Sequence, residues 1–174
     1  MTILVTGGAG YIGSHMVYAL IDAGEEVVVL DNLATGFWWA ISPQARLVEG
    51  DIGDEALLAR LLREEKFDAV IHFAGSIVVP ESVADPLGYY LNNTVKTRSL
   101  IAAAVAAGIP RFVFSSTAAV YGSPSVNPVF EDAVLDPMSP YGRSKLMSEW
   151  MLRDTHAAHD HGSSRQRYNR QRRM

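Results

Sequence analysis

Tyr141 and Lys145 stand four residues apart in Tyr141-Gly142-Arg143-Ser144-Lys145, and on a helix that spacing puts both on one face. An ammonium beside a phenol favours the phenolate and draws a tyrosine down from about 10 toward the range of a general base at neutral pH. The same lysine can hold the ribose of a nicotinamide. Such a pair is also common as a plain surface pairing on a helix, so the chemistry rests on its company. Phe114-Ser115-Ser116-Thr117-Ala118-Ala119-Val120-Tyr121-Gly122 supplies it, an apolar run that ends in a cluster of hydroxyls. Ligands bind at the carboxyl ends of parallel strands, which puts Thr117 where it can hydrogen-bond a reacting oxygen beside Tyr141. Closing the strand end is the plainer use of the same hydroxyls.

A second chemistry lies in Thr6-Gly7-Gly8-Ala9-Gly10-Tyr11-Ile12-Gly13, between an apolar run and a helical period. Gly7 permits the turn out of a strand, Gly10 lets a pyrophosphate approach the helix N-terminus, and Gly13 lets the helix lie close to the sheet. There is no lysine of the kind a nucleoside triphosphate loop carries. Asp31 ends the next apolar run, where its carboxylate can accept hydrogen bonds from adenosine ribose hydroxyls. No arginine lies between Asp31 and Gly36 to meet a 2′-phosphate, so NAD is favoured over NADP. A turn role for Asp31 is the alternative. Asp51, in Gly50-Asp51-Ile52, is read either as a partner for adenine or as a helix cap.

The elements that must position these groups alternate in period. Apolar strand-like runs at Ile3–Thr6, Glu26–Leu30, Ala45–Val48, Ala69–Phe73 and Arg111–Ser115 are separated by helical patterns at Ile12–Ala23, Glu55–Glu65 and Leu87–Ala107. That alternation predicts an α/β fold, a doubly wound, Rossmann-type parallel sheet with helices on both faces. A last helix is expected to start at Ser139 as N-cap, with Pro140 in its first turn.

The chain has 174 residues, 48% of them hydrophobic and 20% charged, which suits one domain. No cysteine is present, so disulfides and thiolate metal sites are excluded. No apolar run is long enough to span a bilayer, and the first strand starts at once, which points to a cytoplasmic protein without a signal peptide. Net charge is −4 although Arg165, Arg167, Arg170, Arg172 and Arg173 crowd the end; the rest is therefore strongly acidic, which argues against nucleic-acid binding. The expected division is residues 1–155 as the folded domain and 156–174 as a disordered basic tail. His156, His159 and His161 with Asp154 and Asp160 are read as solvated side chains, and no metal site is expected.

In order along residues 1–155, these pieces resemble extended short-chain dehydrogenases/reductases, the NAD-dependent epimerase/dehydratase family, and their sugar-nucleotide 4-epimerase branch. His72-Phe73-Ala74-Gly75 and Tyr89-Tyr90-Leu91-Asn92-Asn93 add to the match. The resemblance implies NAD as cofactor, a UDP-hexose substrate interconverted between glucose and galactose forms by transient oxidation at C4, and a possible homodimer. It assigns catalysis to Tyr141, Lys145 and Thr117. It assigns cofactor contacts to Gly7, Gly10, Tyr11, Ile12, Gly13, Asp31, Asn32, Asp51, Ile52, Phe73, Ala74, Gly75, Asn93, Ser115, Tyr141 and Lys145. Dehydratases of the family look for an acid pair after the threonine; Ala118 and Ala119 stand there, which favours epimerisation over dehydration. Ile77 replaces a lysine found near the phosphates in some members. Phe37-Trp38-Trp39 is aromatic where relatives are more polar, and is expected to pack beneath the adenine side. The family's sixth strand and smaller sugar-gripping domain are not found, so the sequence reads as truncated, with low or no activity of its own, or as an NAD-binding module or inert remnant.

Overall fold

The computed structural model describes residues 1–160. Five apolar runs form β1 (Thr2–Thr6), β2 (Glu26–Asp31), β3 (Arg46–Glu49), β4 (Ala69–His72) and β5 (Phe112–Phe114). All pair in parallel, in the order β3-β2-β1-β4-β5. This is the doubly wound order expected, with the chain reversing direction across the sheet at β1.

Residues alternate between the two faces, and each face has its own core. Ile3, Val5, Val27, Val29 and Ile71 pack with Val17, Leu20 and Ile21 of α1 (Tyr11–Asp22). Leu4, Val28, Leu30, Val70, Phe112 and Phe114 pack under α2 (Glu55–Glu64) and, later in the chain, under Leu100, Ile101 and Ala104. Burial on both faces is why these strands read as nearly unbroken Val, Ile and Leu runs. Among the described residues β5 pairs only with β4, and Val113, on its other face, stays exposed.

The long helix expected at Leu87–Ala107 is divided. After the short α3 (Val79–Ala84), α4 (Pro86–Tyr89) leads into a π-helical stretch, Tyr90–Val95, and then α5 (Lys96–Ala106). A π stretch carries one more residue per turn and misaligns carbonyls. Side chains of α6 (Pro140–Asp160) use the misfit, since Ser148 Oγ donates to the Asn93 carbonyl at 3.3 Å. Ser139 caps α6 as expected, its Oγ accepting from the Gly142 amide at 3.1 Å. The helix then runs past the expected limit at Thr155 to Asp160, because Ala157 and Ala158 are good helix formers. The remainder of the expected tail, with His161 and the five arginines, lies outside the described residues. No described helix is long and apolar enough to cross a membrane.

Candidate active site

The residues read as catalytic or cofactor-binding fall along the carboxyl edge of the sheet, in three groups. At β1, Gly7 turns out of the strand with φ +73°, and a Cβ there would stand 2.5 Å from the Ala74 amide nitrogen. Only glycine suits such a position. A side chain at Gly13 would run into the Gly7 carbonyl, so this glycine is needed for closeness to the loop itself, one layer above the sheet. Gly10 caps α1 without any side-chain hydrogen bond. The first-turn amides and the positive end of the helix dipole are thereby left for an anion. Tyr11 and Ile12, in that first turn, are exposed.

Asp31 is buried at the end of β2, and both carboxylate oxygens are engaged. Oδ2 accepts from the Ala9 amide at 2.9 Å and Oδ1 from the Leu33 amide at 2.9 Å. Each oxygen keeps a second lone pair, so accepting from a ribose stays possible while Asp31 also ties down the glycine loop. That tie was not visible in the sequence.

The second group surrounds Asp51. It is not a helix cap: Asp54 fills that place for α2 by accepting from the Leu57 amide at 2.9 Å. Asp51 instead pairs with Lys96 Nζ at 2.6 Å and accepts from Asn32 Nδ2 at 3.1 Å and from the Gly53 amide at 2.7 Å. Burial pushes its carboxyl upward, but the bonds from Lys96, Gly53 and Asn32 outweigh it and hold the group below the usual carboxylate range. The Ile52 side chain belongs to the core, which leaves only its backbone for a ligand.

The third group holds Lys145, Thr117 and Tyr141, the residues to which the resemblance assigns catalysis. Lys145 is 3% exposed; its Nζ donates to the Ser115 carbonyl at 3.1 Å and lies 4.8 Å above the Phe114 ring. Burial brings its pKa down to about 8. Thr117 opens the 3-10 turn Ala118–Tyr121, and its Oγ1 accepts from the Ala119 amide at 3.2 Å, which leaves its O–H proton to donate outward. Gly142 brings α6 onto that turn: a Cβ there would be 2.8 Å from the Ala119 carbonyl oxygen. Half-buried Tyr141 is thereby carried to the Thr117 turn in the first turn of α6.

Between β4 and α6, Asn93 is a strut. Its Oδ1 accepts from the Ser76 amide at 2.8 Å, and its Nδ2 donates to the Ser76 carbonyl at 2.9 Å and to Ser144 Oγ at 3.2 Å. Gly75 lies against the Asn93 and Lys145 side-chain tips. Phe73 and Ala74 leave β4 with both amides on the Thr6 carbonyl, at 2.9 and 3.1 Å. Below them His72 is fully buried, Nδ1 on Thr6 Oγ1 at 2.6 Å and Nε2 on Thr97 Oγ1 at 2.8 Å. Burial, with the charge of Lys145, lowers its pKa to about 3, so the ring is neutral. Ser116 Oγ donates to the Glu149 carboxylate on α6. Lys96, Ser76 and Glu149 are contacts that the sequence did not single out, and His72 and Ser144 entered it only as members of longer motif stretches, without a role of their own. Phe37-Trp38-Trp39, expected to be packed, is exposed instead.

A family model described as the NAD dependent epimerase/dehydratase family matches residues 3–164. A UDP-glucose 4-epimerase of Azospirillum brasilense is 59% identical over 157 residues, covering 90% of this chain and 45% of the relative. One of Bacillus subtilis is 46% identical, covering 91% and 49%. Among solved structures, UDP-glucose 4-epimerase from Brucella ovis in complex with NAD superposes with a TM-score of 0.88 at 45% identity, covering 90% of this chain and 48% of that one. The UDP-Glc/GlcNAc 4-epimerase of Campylobacter jejuni does so with a TM-score of 0.88 at 47% identity, covering 91% and 50%. The chain thus spans about half the length of the relatives it matches.

Proposed function

The chain belongs to the NAD dependent epimerase/dehydratase family, and we propose that it carries the cofactor-holding and proton-transferring half of a UDP-hexose 4-epimerase. The observation that carries this reading is the shared edge: an uncapped helix N-terminus at Gly10 and the Thr117, Tyr141 and Lys145 group all open at the carboxyl ends of the same sheet. The residues fit NAD. The α1 amides take the pyrophosphate, Asp31 has acceptor capacity left for ribose hydroxyls, Asn32 and Asp51 flank the adenine side, and Phe73, Ala74 and Gly75 form the floor beneath. Asn93 and Ser115 support the nicotinamide end through Ser76 and Lys145.

When bound, NAD supplies the reversible oxidation of sugar C4. Tyr141 takes the proton of the sugar 4-hydroxyl and later returns it. Lys145, a buried cation within the same site, reaches the nicotinamide ribose. Thr117 donates its free O–H to the reacting oxygen. No carboxyl group stands at positions 118 and 119 to expel water, so proton out and proton back is the chemistry these residues support. A homodimer through α5 and α6 and a cytoplasmic location belong to the same reading.

Purified 174-residue protein is expected to bind NAD at about one equivalent, measured by calorimetry or by cofactor release on acid treatment. Interconversion of UDP-glucose and UDP-galactose is expected to be slow or absent, because positioning of the sugar depends on contacts beyond this half. Tyr141→Phe should retain NAD and remove whatever turnover there is. Failure to bind NAD overturns the reading; rapid turnover overturns the half-site part of it. NAD binding without turnover leaves a dinucleotide-binding module.

A further inference from the structure

Phe37, Trp38 and Trp39 are 57, 69 and 64% exposed. Phe37 and Trp39 stack on one another, ring centroids 5.1 Å apart and 24° from parallel, which leaves the outer faces open. The turn is anchored at both ends. Upstream, the Phe37 amide donates to the Ala9 carbonyl at 3.0 Å, and Gly36 is so close that a Cβ there would sit 2.7 Å from the Ala9 Cβ. Downstream, Ile41 and Ser42 are buried, Ile41 in the core beneath α1. The rings are therefore displayed by fixed backbone, and the residue that fixes them, Ala9, is also the glycine-loop residue bonded to Asp31.

The position selects the occupant. A dinucleotide has two flat bases on either side of its pyrophosphate. With the pyrophosphate at the start of α1, the proton-transfer group on β5 and α6 claims the nicotinamide end. The other base then lies toward β2 and β3, across β1 in the order β3-β2-β1-β4-β5. The aromatic turn connects those two strands. Resting on the NAD reading above, we infer that Phe37, Trp38 and Trp39 form a stacking wall for the adenine base. Stacking needs a π face and no matched hydrogen bonds, so rings presented in this way suffice. In this assignment Asp31, Asn32 and Asp51 supply polar contacts to the same end of the dinucleotide, and the aromatic turn supplies the apolar one.

The chain has three tryptophans, and the third, Trp150, is on α6, so Trp150→Phe leaves Trp38 and Trp39 as the only emitters. In that background AMP and NAD are expected to quench tryptophan fluorescence, and nicotinamide mononucleotide is not. The double variant Trp38→Ser/Trp39→Ser, at exposed positions that leave the melting temperature unchanged, is expected to bind AMP and NAD about tenfold more weakly by calorimetry. Parent-like affinity for both ligands in the double variant overturns the inference while leaving the NAD reading intact. A parent chain that binds neither AMP nor NAD overturns both. A change in oligomeric state on substitution, with AMP binding unchanged, gives the rings to a second copy of the chain and overturns the inference as well.

Discussion

At the β1–β2 end of the sheet the glycine loop is held mainly by backbone, with the Asp31 carboxylate as a side-chain tie: Gly7 on Leu30, Ala9 between Asp31 and Phe37, Gly13 against the Gly7 carbonyl. At the β5 end Thr117, Tyr141 and Lys145 hang on a three-residue strand that has a single partner among the described residues, and they depend on side chains, chiefly Lys145, Asn93 and Ser144, to hold α6 in place. The difference teaches which kind of damage each end registers. Backbone-locked geometry fails as a unit when an atom is added. A side-chain lattice carries buried polar and charged groups whose removal alters chemistry and pH response before it alters the fold.

The largest effect should come from adding atoms at the locked end. Gly13→Val places methyl groups where the Gly7 carbonyl stands, and overpacking of this kind costs about 1–3 kcal/mol. For a chain of this size each kcal/mol lowers Tm by roughly 2–4 °C. NAD binding should be lost, since the α1 amides and the loop can no longer converge. A variant that melts and binds like the parent would show the cradle to be adjustable and would erase the contrast.

Lys145→Met tests the other end and should move stability in the opposite direction. The folded pKa of about 8 is below the ordinary 10.5, so the folded state resists protonation more than the unfolded one. That cost is fully present below the folded value and disappears as pH rises through about 8 toward 10.5. Removing the cation is expected to raise stability by roughly 2 kcal/mol near pH 7 and by much less near pH 10, while weakening NAD binding. Thermal melts at the two pH values, with calorimetry, check both. A destabilised variant at neutral pH would mean that the bond to the Ser115 carbonyl outweighs the desolvation of the ammonium.

How much of this could be read from the sequence follows the same division. The strands, the glycine spacing, Asp31 and the Ser139–Pro140 helix start are signalled by residues close to one another in the chain, and the structure has them where they are expected. The side-chain lattice is not local. Lys96 meets Asp51 across 45 positions, Ser144 meets Asn93 across 51, and no short motif announces either. His72 ends an apolar run and reads as one more strand residue; its two threonine partners come from β1 and α5. The π stretch is hidden because one extra residue per turn barely disturbs an apolar pattern that is already loose. The exposure of Phe37, Trp38 and Trp39 runs against hydrophobic expectation, as functional surfaces often do.

His72 lies between the two ends and should show as acid sensitivity. Its folded pKa of about 3 lies below the ordinary 6.5, so the unfolded chain takes up a proton that the folded one refuses. Stability from this group is complete above pH 6.5 and is lost as pH falls through the window down to about 3. The parent should lose about 1 kcal/mol over the first pH unit below 6.5 from this residue alone. His72→Gln, which keeps a hydrogen-bonding side chain, should flatten that part of the melt-against-pH profile. An unchanged slope would assign the acid response to other groups.

The smallest effect should be at Lys96, and it is the sharpest test of where the locked end stops. The ion pair with Asp51 joins the loop after β3 to α5, the helix that continues from the Asn93 strut. Its side chains are 26 and 33% exposed, so solvent screens the attraction, and pairs of this kind contribute less than about 1 kcal/mol. Lys96→Met is therefore expected to lower Tm by roughly 1–3 °C at low ionic strength and by less in about 1 M salt, where charges are screened within a few ångströms. Asp51 keeps the Gly53 amide and Asn32, so NAD affinity should fall only a few-fold. A loss as large as that of Gly13→Val, insensitive to salt, would make α5 a structural part of the cradle. The two ends would then be one unit joined through Lys96, and the contrast between them would have to be redrawn.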